Sequence, residues 1–298
     1  MPHSEAEGLL GILLVDKPLG ITSHDVVNDI RRRFGTKRVG HAGTLDPLAT
    51  GLLVVAVGPA TRFLQYLPLE PKVYVAEIAF GNSTPTYDAE GELSEPRPVP
   101  EDLWGAIESA LVNFRGLIQQ LPPMFSAVKV GGKPLYKFAR EGKEIVREPR
   151  TVHIESFEVI STDTASATVR ISCSGGTYIR SLANDLGEAM GCGAHLKALA
   201  RTDVGRFNLG LATPLDKVRP DLLVSLREAL PPMPLIQLDG VETSNIREGR
   251  PIGQVDPPDG NLAALLDPDG RVFSVARVIG NLLQPECVIP SEVPYGTA

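Results

Sequence analysis

Cysteine is scarce in this chain. Cys173, Cys192 and Cys287 are widely spaced, odd in number and form no Cys-x-x-Cys pair. That excludes a disulfide framework and makes a reducing cytoplasm the expected compartment. The five histidines (His3, His24, His41, His153, His195) contain no pair at ligand spacing, so no zinc site is expected. No apolar run reaches the roughly 18 residues that a membrane-spanning helix needs. The first residues, up to Lys17, put acids ahead of a short apolar stretch and lack a basic segment, so a signal peptide is not expected. Aromatics make up only 5% of the residues, and no internal repeat or low-complexity tract is present.

An excess of positive charge is also lacking. The net charge is −7, which by itself argues against a polyanionic partner. Its distribution argues otherwise. From Pro231 onward nine acids face four arginines, so most of the negative charge lies in the tail. The remainder contains Arg31 to Arg38, with five cations and no acid, and Lys129 to Arg150, with seven cations against Glu141, Glu144 and Glu148. Local stripes rather than net charge make a footprint for phosphates, although basic runs are commonly no more than solvated helix faces.

What is present reads as a globular protein of 298 residues, with 43% hydrophobic and 22% charged. Gly11 to Val15 is a short apolar strand stopped at Asp16-Lys17-Pro18-Leu19-Gly20. Thr22 with Asp25 is a capping-box pattern, and a helix with Val26, Val27, Ile30 and Phe34 inward should follow. Gly35 to Thr50 has neither period and leads into the buried strand Gly51 to Val57. Lys72 to Phe80 alternates as a strand, with Tyr74, Ala76, Ile78 and Phe80 on one face. Gly81 to Pro100 is polar and Pro-rich and reads as a mobile surface excursion. A helix over Glu101 to Phe114, a Gly131-Gly132 hairpin turn, and strands at His153–Ile160 and Ala167–Cys173 follow. Lys133, Lys137 and Arg140 would share one side of a helix. Gly175-Gly176 opens a helix with Ile179, Leu182, Leu186 and Met190 on one face. After a linker at Pro231-Pro232-Met233-Pro234 the tail reads as an all-β module.

Candidates for chemistry are few. Asp46 precedes a proline, and taken alone a turn former is the favoured reading. Its loop, however, lies between a basic helix and an apolar strand, where a carboxylate can serve as a nucleophile. A hydrolytic glycosidase needs a second carboxylate, and spacing supplies none. Arg180, one turn into the Gly175-Gly176 helix, could hold Asp46 in a charge-assisted pair, or could be a plain surface arginine. Tyr74 and Tyr178 are either core aromatics or surfaces for an unstacked base. His41 is equally readable as a satisfied turn residue. Composition and spacing stop at a two-domain protein with a possible anion site.

Six blocks carry a resemblance. They are Asp16 to Ser23, Gly40 to Gly51, Lys72-Val73-Tyr74, Pro122 to Lys129, Gly175 to Leu182 and His195 to Thr202. In this order they closely resemble the TruB family of tRNA pseudouridine synthases. The resemblance implies an α+β fold: a pseudouridine synthase core at 1–232, with a mixed, mainly antiparallel sheet flanked by helices and loops, and a small β-rich PUA-like RNA-binding module at 233–298. It implies isomerisation of uridine 55 in the T-arm of tRNA on a flipped-out base, with no cofactor, no metal and a monomeric enzyme. Asp46 takes the place of the family's nucleophile, and Arg180 that of its pairing arginine. Tyr74 matches the tyrosine that stacks on the uracil and serves in proton removal. The substrate contacts fall on His41, Tyr178, Leu199 and Lys17, with His41 entering the T-loop where the base has left. Two other readings stay open: an RNA-binding or tRNA-folding protein without turnover, and a synthase acting on another RNA.

Overall fold

In the computed structural model, residues 8–253 and 260–290 are described. The first half runs β1 (Gly11–Lys17), α1 (Ser23–Phe34), β2 (Val39–Ala42), β3 (Ala49–Val57), a 3-10 segment (Gly58–Tyr66), β4 (Lys72–Phe80), α2 (Leu103–Leu111), β5 (Gly116–Gln120), a small hairpin of β6 (Lys129–Val130) and β7 (Lys133–Pro134), and α3 (Leu135–Arg140). The second half runs β8 (Arg150–Thr162), β9 (Ser166–Cys173), α4 (Ile179–Ala189), β10 (Ala194–Val204), β11 (Phe207–Asn208), β12 (Thr213–Pro214) and α5 (Leu226–Ala229). The tail holds β13 (Leu235–Gln237), α6 (Gly240–Arg247), β14 (Ile252–Gly253), β15 (Leu262–Leu266), β16 (Val272–Ile279) and β17 (Leu282–Val288). Among the described residues no helix is long and apolar enough to cross a membrane.

Ten strands form one mixed sheet in the order β12-β1-β3-β10-β4-β9-β8-β5, with β2 paired to β3 and β11 to β10. Only β1/β12 and β3/β10 run parallel. The divided edge of β3 places the site. Val54 to Val57 pair with β2, whereas Ala49 to Gly51 pair with Leu199 to Arg201 of β10. The loop 43–48 leaves β2 and re-enters β3 in the gap where those two neighbours part.

The helix α1 forms because its ends are satisfied. The Thr22 backbone N–H donates to Asp25 Oδ2 at 2.8 Å, and the Asp25 N–H donates to Thr22 Oγ1 at 3.0 Å. Gly35 ends it in the left-handed region at φ 63°, with Arg31, Arg32 and Arg33 at the negative end of the dipole. Its inner residues Val26, Val27, Ile30 and Phe34 meet Leu13, Val15, Leu53 and Val55 of the sheet. Each such burial contributes about 1.5–3 kcal/mol. The opposite face of β1 and β3 is covered as well, which is why Gly51 to Val57 reads as unbroken apolar sequence. On the other half of the sheet α2 and α4 cover β4, β8 and β9 through Ile107, Leu182 and Leu186.

Several expectations change. Val39–Ala42 is a strand within a segment that has no visible period. Lys133 lies on β7, ahead of the short helix that carries Lys137 and Arg140. The tail is a five-stranded sheet, β13-β15-β16-β17-β14, but it also holds α6. That helix starts on a capping box, Asp239 with Glu242, whose two reciprocal hydrogen bonds offset the weak apolar pattern. The apolar core also runs on across the Pro231–Pro234 segment. Phe63, Phe207 and Leu226 share one cluster with Leu238, Phe273 and Val275 of the tail. Arg62 Nη1 donates to the Val288 carbonyl at 2.9 Å, and the Tyr66 hydroxyl to Glu286 at 3.2 Å.

Candidate active site

The Asp46 loop is pinned at each side of the aspartate. Ser23 Oγ, on the first turn of α1, accepts from the Leu45 N–H at 2.8 Å and donates to the Leu45 carbonyl at 3.1 Å. The Gly20 N–H donates to the Pro47 carbonyl at 2.8 Å, and the Ala49 N–H to that of Asp46 at 3.0 Å. Leu45 is a buried peg, so the next side chain turns outward, and 45% of the Asp46 side chain is exposed. Ser23→Ala leaves the Leu45 N–H unpaired inside the protein. Chemical denaturation should show a loss of about 1–3 kcal/mol.

Arg180 is aimed from α4. Gln120, buried on β5, accepts from the Tyr178 N–H at 2.8 Å and donates to the Tyr178 carbonyl at 3.0 Å, which fixes the residue where the helix starts. The guanidinium is only 7% exposed and sits between two carboxylates, with Nη2 2.9 Å from Asp46 Oδ2 and Nη1 3.2 Å from Asp88 Oδ2. Nη1 also donates to the Thr86 carbonyl at 3.1 Å and Nη2 to that of Phe125 at 2.9 Å. Four anchors leave it little freedom.

Asp88 corrects the reading of Gly81–Pro100 as a surface excursion. Asp88 and Thr84 are buried, and the Leu196 N–H donates to the Tyr87 carbonyl at 2.9 Å, so the segment packs onto the site. Asp88 also accepts from the Thr86 hydroxyl at 2.6 Å. Spacing offers no signal for it, because it lies on a polar loop without period and reaches Arg180 only through the fold. Its burial and full engagement also deny the site the free second carboxylate of a glycosidase.

An apolar wall stands beside Asp46. Tyr74 belongs to the buried cluster, with Leu48 and Leu199 packed at its margin. Leu199 pairs with Ala49 on β3 and Ala76 on β4. Tyr178 is half-buried at the start of α4. Burial pushes the Tyr74 phenol up, while the Arg201 charge pulls it back. His41 is half-buried on β2, with its Nδ1 buried and unpartnered. Burial, and then the charge of Arg201, lower its pKa and keep the ring neutral.

Lys17 differs from its expected place among substrate contacts. It is 0% exposed, and Nζ donates to the carbonyls of Pro18 at 2.9 Å and Ile21 at 2.7 Å. Burial lowers its pKa and Asp46 opposes that shift. The ammonium braces the turn beneath Asp46 instead of facing solvent. Among the described residues no group of His, Cys, Asp or Glu is arranged to hold a metal ion. The arrangement is thus one accessible carboxylate, held by an immobilised guanidinium, beside the apolar side chains of Tyr74, Leu48 and Leu199.

Residues 31–179 match the family model described as TruB family pseudouridylate synthase, N-terminal domain. Residues 180–233 match the tRNA pseudouridylate synthase B C-terminal domain. The chain is 42% identical to the tRNA pseudouridine synthase B of Cupriavidus metallidurans, over 97% of this chain and 96% of that protein. It is 44% identical to the tRNA pseudouridine synthase B of Mycobacterium tuberculosis H37Rv, over 94% of this chain and 95% of that one. Among solved structures, that of a Cbf5-Nop10-Gar1 complex superposes with a TM-score of 0.66 at 26% identity, covering 98% of this chain and 88% of the other.

Proposed function

This chain belongs to the TruB family of pseudouridylate synthases, and from that premise we propose that it converts uridine 55 in the T-arm of tRNA to pseudouridine with Asp46 as nucleophile. The observation that carries the proposal is the Asp46–Arg180 pair beside Tyr74 and Leu199.

The chemistry needs the bond between C1′ and N1 of uracil broken, the base turned, and a bond made between C1′ and C5. The proton on C5 leaves and N1 gains one. A single carboxylate suffices because the freed uracil stays bound, and the site must keep water from the sugar. The uridine has to leave its stack to reach Asp46. Tyr74 then supports the flipped ring and takes the C5 proton, Leu199 and Tyr178 flank the ring, and the neutral His41 fills the gap left in the T-loop. Arg180, held from four sides, keeps the carboxylate oriented without reorganising during the reaction. The cations of Arg31–Arg38 and Lys129–Arg150 are suited to the phosphate backbone. We read 1–232 as the catalytic domain of a monomer and 233–298 as a PUA-like RNA-binding module.

The purified protein, without added metal, should release tritium from a tRNA transcript labelled at uridine C5. A transcript with cytidine at position 55 should release none above background. Binding of the transcript without release would replace this proposal with that of an RNA-folding protein, and release from the position-55 variant would move the target elsewhere.

A further inference from the structure

The bulkiest fully buried side chain among the described residues has no part in the reaction as described so far. Arg201 is only 1% exposed. Among the described residues no ion pair includes it, and its Nε donates to the Leu52 carbonyl at 2.8 Å and its Nη2 to the Gly43 carbonyl at 3.0 Å. Sealing an arginine away from water without a carboxylate is costly, so a compensating use is expected.

Its position supplies one. Arg201 pairs across the sheet with Tyr74 on β4 and with Gly51 on β3, and directly opposed residues on antiparallel strands share a face. Gly51, at φ 94°, lets β3 come close, since a Cβ there would stand 2.4 Å from the Arg201 carbonyl. Gly43, at φ 78°, leaves the cation equal room, since a Cβ there would meet Arg201 Nη1 at 3.2 Å and Lys72 Nζ at 3.3 Å. Gly43 lies three residues before Asp46. One guanidinium therefore ties the Asp46 loop to β3 and stands beside the Tyr74 phenol, where its charge and its N–H groups both favour the ionised oxygen. Burial acts most strongly on that phenol and holds its pKa above the usual value, with Cys173 and Asp46 adding to it, so Arg201 is the group that counters the cost of ionisation. Lys72 and His41, lowered first by burial, are both lowered further by the charge of Arg201.

We infer that Arg201 is a positioning residue for proton removal: it holds the Tyr74 phenol and the Asp46 loop to one buried charge, and it stabilises the phenolate through which Tyr74 takes the C5 proton. This rests on the reading of Tyr74 as proton acceptor. Tyr74 first gives its own proton to water, and in the step that follows the C5–H bond breaks and an O–H bond forms on the phenolate. The freed pair becomes the C5=C6 bond, the N1=C6 pair returns to N1, and N1 is then protonated.

The test is single-turnover kinetics on tRNA carrying protium or deuterium at uridine C5, with Tyr74→Phe and Arg201→Gln. Arg201→Gln should lower the rate by about 100-fold, the scale of a general-base contribution, with tRNA affinity unchanged. A primary isotope effect larger than that of the parent protein should emerge in both variants. Placing 3-fluorotyrosine, a more acidic phenol, at position 74 should restore much of the rate in the Arg201→Gln background. If Arg201→Gln fails to fold, Arg201→Lys keeps the charge, loses the fork, and should show a smaller loss with the same isotope effect. An enlarged isotope effect in Tyr74→Phe but not in the Arg201 variant overturns the role of Arg201 alone. Its absence from Tyr74→Phe overturns the reading of Tyr74 beneath it.

Discussion

Asp46→Asn is expected to stop turnover, lowering the single-turnover rate by about four orders of magnitude or more, the scale seen when a nucleophile is removed. Asparagine keeps the shape of the side chain and one oxygen to accept from Arg180 Nη2, so the pair at 2.9 Å loses its charge and not its geometry. Half-exposed as it is, Asp46 contributes little to stability, and denaturation midpoints should stay within about 1 kcal/mol. Filter binding should find tRNA affinity within about threefold, because phosphate contacts elsewhere supply most of it. Measured by tritium release, retained turnover in Asp46→Asn would remove the nucleophile assignment outright.

Arg180 is expected to show two separable effects. Arg180→Lys keeps a cation but cannot reach both carboxylates and the carbonyls of Thr86 and Phe125 at once. The rate should fall by about 100- to 1,000-fold, comparable with losing one preorganised donor, while tRNA affinity changes much less. Arg180→Ala goes further, since it strands the Asp88 carboxylate inside the protein. Removing one partner of a buried pair costs about 3–5 kcal/mol, readable in urea unfolding. Adding Asp88→Asn to Arg180→Ala should recover part of that stability and none of the rate. An unchanged rate in Arg180→Lys, or an Arg180→Ala protein as stable as its parent, would contradict the role assigned to this side chain.

How far the sequence could be read differs from residue to residue, for physical reasons. The helix α1 was legible because both its cap and its buried face follow a local rule, Thr22 with Asp25 and then Val26, Val27, Ile30 and Phe34. The strand β4 was legible from its alternation, which the burial of Tyr74, Ala76, Ile78 and Phe80 bears out. The capping box of α6 was equally visible in Asp239 and Glu242, but the turn residues around it favoured a reading as strands. Asp46 is different in kind. Its neighbours define a turn, and only family blocks spread over the chain mark it as more than that. Asp88 and Arg201 were out of reach altogether, because the contacts that define them join loops and strands from distant parts of the chain.

The apolar cluster that joins Phe63 and Phe207 to Phe273 and Val275 bears on how RNA would be gauged. A tail on a loose tether could follow a nucleic acid of any length or bend. One whose underside is part of the main core keeps a set distance and heading from Asp46. If the tail contacts RNA as proposed, its surface would work as a ruler, and a substrate would have to bring its target uridine to the far mark.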